Sequence, residues 1–295
     1  MLAPVLIFGY NRPQLFARMA ASLKANVNFE NHKVFAFIDG PKTAADSNLV
    51  SETILEARKL TDNVTVADKN QGLAASIING VTEIINTFGR AIVIEDDLIL
   101  HPLFLNFMDF YLDNFEKDSN ILSICGFGLK IKRPSDYKAD IYLARRASSW
   151  GWGTWADRWN KIDWNVTRFA EIKDSRKLQK EFNRGGSDMC SMLNDYMTGR
   201  NNSWAIRFCF HQFLNGYYSV HPFKSLVIND GYNQDATNCR QKYNRFKTDF
   251  LNEKETPALC TLPELQPEPL IDSQLRKYHS VSRRIYSKIR RILNI

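Results

Sequence analysis

The chain has 295 residues, 44% of them hydrophobic, with only 14 Gly and 10 Pro. That is enough apolar material for one large domain or two closely packed halves, and it excludes wholesale disorder. The net charge of +7 is local. Arg276, Lys277, Arg283, Arg284, Lys288, Arg290 and Arg291 account for the whole excess, so residues 1–275 carry as many acidic as basic residues. A nucleic-acid binder spreads its cations over the folded body, so no nucleic-acid partner is expected.

The five cysteines, Cys125, Cys190, Cys209, Cys239 and Cys260, form no CxxC pair and no Cys/His cluster. Such scatter reads as reduced thiols in a cytoplasmic protein. The opening residues, Met1-Leu2-Ala3-Pro4, have no basic stretch before them, and the apolar run that follows is too short for a signal peptide or membrane anchor. The Asn-x-Ser/Thr triplets at Asn63, Asn165 and Asn201 are then chance matches.

The first hundred residues alternate strand and helix. Residues 4–8 (PVLIF) form an apolar run that stops at Gly9-Tyr10-Asn11-Arg12-Pro13, and Leu15, Met19 and Leu23 give residues 14–25 a helical period. Residues 34–38 (VFAFI) make a second buried strand, ended by Asp39-Gly40-Pro41. A helix over 46–60 follows, with Asp46 or Ser47 as its N-cap. Residues 64–67 form a third strand, Asn70-Gln71-Gly72 a turn, residues 73–88 a helix and residues 91–94 a fourth strand running into Glu95-Asp96-Asp97. This alternation predicts an α/β fold: a mostly parallel, Rossmann-like sheet with helices on both faces. Ligands of such sheets gather at the carboxyl ends of the strands. Arg12, Asp39, Asn70 and the acidic triplet all fall there.

Beyond Asp97 an aromatic-rich helix around Phe104–Tyr111 leads to a strand at 121–125. A loop-rich part follows, with a Trp/Gly run from Trp150 to Trp155 extended by Trp159 and Trp164. A polar helix over 188–197 and strands near 217–220 and 225–228 come next. Residues 252–275 read as a linker or strap. Residues 276–295 place Val281, Ile285, Ile289 and Ile292 at helical spacing among Arg and Lys, an amphipathic basic helix suited to an anionic membrane surface. A helix docked on the protein's own body and a disordered basic tail are the other readings. The units expected are one half at 1–100 and a second half of the same domain at 101–251, then the strap and the tail.

The chemistry follows from residue types. Three successive carboxylates after a buried strand repel one another, and a hard divalent cation shared with a diphosphate relieves them; on an extended chain Glu95 and Asp97 point one way and Asp96 the other. Asp39 could accept hydrogen bonds from a base or ribose, or merely shape a turn, and Arg12 could meet base or phosphate. Asn70 could approach a phosphate or sugar. Trp150, Gly151 and Trp152 offer flat faces and a close backbone for an acceptor sugar, with aromatic core packing as the competing use.

At this point a resemblance is specific. IVIEDDLILHP, a helix rich in Phe and Tyr, ILSICGF and then WGWGTW occur in the order and spacing of the N-acetylglucosaminyltransferase I family and of bacterial family-2-like sugar transferases. The resemblance covers residues 92–155; FGYNRP, FIDGP and NQGL match only in layout, and the part after Lys173 matches loosely. It implies a GT-A fold and an inverting, Mn2+- or Mg2+-dependent transfer from a nucleotide-sugar, UDP-linked, to a glycan or lipid-linked glycan. That reaction would serve bacterial surface polysaccharide synthesis, in the cytoplasm or peripherally on the inner face of the membrane. It further implies Asp97 as metal ligand, Asp96 at the ribose, Glu95 at the donor sugar, and Arg12 and Asp39 at the uracil end. The family's catalytic base precedes a Trp-Met pair, which Asp195-Tyr196-Met197 resembles, so Asp195 is the expected base and Asp188 the next. One departure stands out. Where bacterial relatives carry a Gly-Thr-His-like element after an Asn-x-Gly turn, this chain has Asn229-Asp230-Gly231 and then Ala236-Thr237-Asn238, which leaves a second protein ligand open. His211 and His221 read as packing or surface residues. Two other classes compete: a nucleotidyltransferase, whose Gly-rich basic loop FGYNRP lacks, and a non-catalytic glycan- or membrane-binding module.

Overall fold

The structure is a computed structural model that describes residues 2–232, 246, 248–252, 255–257, 259 and 265–293. The chain begins β1 (Val5–Gly9), α1 (Pro13–Lys24), β2 (Val34–Ile38), α2 (Ser47–Leu60), β3 (Val64–Val66), α3 (Leu73–Phe88) and β4 (Arg90–Glu95). The strands pair in the order β3-β2-β1-β4, all parallel. Alternation along β1 divides the core. Val5 and Ile7 pack with Phe16, Met19, Val50 and Ala57 of α1 and α2, while Leu6 and Phe8 pack with Ile77, Val81 and Ile85 of α3. Pro13 opens α1, where its fixed φ and missing N–H suit a first turn.

The chain continues through β5 (Leu98–Leu100), α4 (Phe104–Asn114), β6 (Ile121–Cys125), β7 (Ile141–Ala144), β8 (Trp152–Trp155), α5 (Ala156–Trp159), α6 (Phe169–Lys173), α7 (Arg176–Phe182), α8 (Met189–Met197), α9 (Trp204–Leu214), β9 (Tyr218–Pro222), β10 (Val227–Asn229), α10 (Pro269–Tyr278) and α11 (Val281–Leu293). The sheet extends to eight strands by adding β8, β6, β9 and β7 after β4, with β8 and β7 reversed. It is therefore a mainly parallel α/β sheet with helices on both faces, as the alternation predicted.

Three parts of the second half differ from expectation. The Trp run is not a loop: Trp152–Trp155 is β8, hydrogen-bonded between β4 and β6 in the middle of the sheet. Its two tryptophans enter opposite cores, Trp152 beside Trp159, Trp204 and Phe208, and Trp155 beside Leu112. The strand β7 was not anticipated either. Helix α10 starts inside the expected strap and runs past residue 275. Among the described residues no helix is long and apolar enough to cross a membrane.

Candidate active site

The parallel strands β1 to β4 end at one rim, and two groups of polar residues meet there. In the first, Asp39 follows β2 and is 6% exposed. Its Oδ1 accepts from the backbone N–H of Gly40 (2.9 Å) and Gln71 (2.8 Å), and its Oδ2 from that of Gly72 (2.9 Å). Asn70 answers by donating from Nδ2 to the Gly40 carbonyl at 3.0 Å. Asp39 and Asn70 thus clasp the 67–72 loop to the end of β2, and their polar atoms bind the protein itself.

The second group is built on the acids after β4. Only Glu95 belongs to the strand; Asp96 and Asp97 lie in a tight turn before β5. The alternation expected for an extended triplet stops at Glu95, and both aspartates reach one cation: Arg12 donates to Asp97 Oδ2 at 2.9 Å and also to Asp96 Oδ1. Asp96 is 1% exposed and accepts from Tyr10 N–H at 3.3 Å. Burial raises its pKa to about 6, with Asp97 adding to the rise and Arg12 restraining it. Glu95 is pushed further, to about 8, by burial first and then by its two acidic neighbours, against Arg12 and a hydrogen bond with Ser149. Without a further cation beside it, that carboxyl favours its protonated form at neutral pH.

Asp97 carries the clearest sign of a missing partner. The residue is 9% exposed, and its Oδ1 is buried with no hydrogen-bond partner. A single hard oxygen of this kind fits a divalent cation whose other positions come from a diphosphate and water. No cluster of three or more His, Cys, Asp or Glu among the described residues could enclose a metal unaided. Strand β10 pairs antiparallel with β5 and brings Asn229-Asp230-Gly231 beside this carboxylate. Asp230 N–H donates to the Asp97 carbonyl at 2.7 Å, and Asp230 Oδ2 accepts from Arg18 Nε at 2.7 Å. A Cβ on Gly231 would stand 3.0 Å from Asp97 Oδ2, so a glycine keeps that approach open. Ala236, Thr237 and Asn238 lie outside the described residues.

Through Ser149, Glu95 is joined to a cavity of about 280 Å³. Its hydrogen-bond partner Ser149 lines that cavity together with Trp150, Arg145, Arg146, Arg184 and His221. Of the three residues expected at an acceptor sugar, only Trp150 borders it, held edge-on against Phe127 with ring centroids 4.6 Å apart. Trp152 is 1% exposed and stacks on Trp204 at 4.9 Å; the central strand has carried it into the core, so it has no face left for a sugar. Gly151 holds φ +62° with its Cα against Phe104 and Val227, where a Cβ would approach the Phe104 ring to 2.9 Å. Its glycine is required by packing.

The two candidate bases separate cleanly. Asp195 is half-exposed on the outer part of α8, paired with Arg200 at 2.6 Å, and is not among the residues lining the cavity. Asp188, just before α8, is 6% exposed and does not line the cavity itself, but it accepts from the cavity-lining Arg146 at 2.8 Å. Burial opposes its charge, but Arg146 outweighs burial and holds the carboxyl below the ordinary range. Arg146 and Ser149 escaped the sequence reading. The signal available for them was the polar stretch Arg145-Arg146 to Ser148-Ser149 just before the first Trp.

No protein-family model matches the sequence, and no curated protein matches it. Among solved structures, the mannosyltransferase PcManGT from Pyrobaculum calidifontis, in complex with GDP-Man and Mn2+, superposes with a TM-score of 0.37 at 10% identity over 74% of this chain and 70% of its own. A UDP-glucose pyrophosphorylase complexed with UDP-glucose superposes with a TM-score of 0.39 at 11% identity over 75% of this chain and 90% of its own. Likeness at this level assigns neither an activity nor a residue role.

Proposed function

We propose that this chain is an inverting, metal-dependent glycosyltransferase of the GT-A type. It moves a sugar from a UDP-sugar to a hydroxyl of a glycan or lipid-linked glycan in bacterial surface polysaccharide synthesis. The observation that carries the reading is a juxtaposition: the orphaned Asp97 Oδ1 at the rim, and, joined to the same triplet through Glu95 and Ser149, a cavity with an aromatic wall.

Asp97 Oδ1 would hold Mn2+ or Mg2+, which neutralises the departing diphosphate when bound. Arg12 and Asp96 would orient the nucleotide, Arg12 being half-exposed and able to turn a donor toward phosphate or base. Asp39 and Asn70 would act on the uracil end by fixing the loop whose backbone they clasp. Glu95, joined to the cavity wall through Ser149, would contact the donor sugar. Trp150 would stack on the acceptor ring. We assign the base to Asp188 in preference to Asp195: a carboxylate kept ionised by the cavity-lining Arg146 can take the proton of the attacking hydroxyl, whereas the partner of Asp195, Arg200, does not line the cavity.

The test is UDP release from a panel of UDP-sugars with a glycan acceptor, with and without Mn2+. Mn2+-dependent release is expected, falling on the order of a hundredfold or more in Asp97→Asn. Undiminished, metal-independent turnover by that variant removes the metal assignment. Pyrophosphate release from UTP and a sugar phosphate, in place of UDP release, makes the chain a nucleotidyltransferase.

A further inference from the structure

An amphipathic helix on a folded body normally turns its apolar stripe inward. Helix α11 does the reverse. Val281, Ile285 and Ile289, one turn apart along a single face, are 54%, 54% and 48% exposed, whereas Ser287 on the opposite face is buried at 4%. The helix is held by polar contacts: Arg284 Nη1 donates to Ser187 Oγ at 3.4 Å, and the Arg283 guanidinium lies over the Tyr278 ring at 5.6 Å. Lys288 borders the outward stripe and is exposed, the other cations of α11 lie around the rest of the helix, and no acidic residue follows Asp272.

We infer that α11 is a membrane-docking surface, seated in the headgroup region of an anionic bilayer with Val281, Ile285 and Ile289 entering the acyl boundary. The charge pattern selects that occupant. A second copy of the chain would bring an equally cationic face against this one and be repelled. A nucleic acid would satisfy the cations and leave the apolar stripe in water. An anionic bilayer meets both, apolar depth under the stripe and negative headgroups around it.

The docking surface lies next to the candidate base. The His279 carbonyl, in the corner between α10 and α11, accepts from Ser187 N–H at 3.2 Å and from Ser187 Oγ at 2.8 Å, and Ser187 precedes Asp188. His279 itself lines the cavity. A bilayer holding α11 therefore holds the cavity wall at the lipid surface, where a lipid-linked acceptor would be presented.

The experiment is flotation of the full-length protein with vesicles of equimolar phosphatidylglycerol and phosphatidylcholine, and with phosphatidylcholine alone. Wild type should float with the anionic vesicles, less so as salt is raised, and stay behind with the neutral ones. In Ile285→Glu/Ile289→Glu the affinity should fall on the order of a hundredfold; the charge reversal Lys288→Glu should weaken it as well. Wild-type flotation by either variant, or no flotation of wild type, overturns the inference. So does a wild-type dimer that the isoleucine variant converts to monomer, since a second copy would then cover the stripe. UDP release toward a soluble acceptor should be unchanged in the isoleucine variant. If no UDP-sugar is turned over while flotation behaves as described, the transferase reading falls and the membrane surface stands.

Discussion

A carboxylate oxygen buried without a donor costs on the order of 1–3 kcal/mol, and Asp97 Oδ1 sits in that condition beside two further acids. Arg12 offsets part of the repulsion, which makes it both a candidate nucleotide contact and the built-in counterion of the pair. Arg12→Ala should therefore lower the melting temperature through a loss of a few kcal/mol, as expected when a buried pair loses one partner. Added Mn2+ should raise the variant's melting temperature more than wild type's, because guanidinium and metal serve the same carboxylates. A variant that Mn2+ does not stabilise argues against a cation at Asp97. At the base, Asp188→Asn should reduce kcat by about 10²- to 10⁴-fold, and Asp195→Asn should leave it within a fewfold of wild type. The reverse order of effects in steady-state kinetics would return the role to Asp195.

Elements placed these residues, and some elements were easier to read than others. Strand β2 and helix α3 have the ranges their sequence periods predict, because each is bounded by turn residues and buries a regular face. Strand β8 was opaque: four residues with two glycines nearby resemble a loop until β4 and β6 supply hydrogen bonds on both sides. Trp152→Ala, emptying that buried site, should cost about 3–5 kcal/mol in denaturant unfolding; a near-neutral result would mean the indole is not packed as described. Between β1 and α4, buried His32 bonds the Ala3 carbonyl through Nδ1 at 2.8 Å and pairs with Asp109 through Nε2 at 3.0 Å. Burial disfavours its charge, but Asp109 and the carbonyl together outweigh burial and raise its pKa. A raised folded-state pKa stabilises below the unfolded value, near 6.5, and that stability is lost as pH climbs through the folded value. Asp109→Asn should thus destabilise more at pH 6 than at pH 9; an equal loss at both would mean His32 is neutral in the fold.

Across the whole molecule the two halves share one core. Ile7, Ile92 and Ile94 from the first hundred residues pack in the same cluster as Phe104, Met108, Trp155 and Val220 from the second. A fragment of residues 1–100 should show no cooperative melt by circular dichroism, since β4 would lose β8 along its edge and the shared core would lose Phe104, Met108, Trp155 and Val220. A fragment that melts cooperatively would make the halves separate domains. Sequence alone determined the parallel first sheet and the rim that gathers Arg12, Asp39 and the acids. These follow from local periods and from charge, which a linear chain displays. Tertiary structure alone decided that Asp96 and Asp97 share Arg12, that Asn229-Asp230-Gly231 lies against Asp97, that Trp152 is core while Trp150 is wall, and that α11 turns its apolar stripe outward. Each depends on a contact between segments tens to hundreds of residues apart, and only packing chooses which side of an element meets the core.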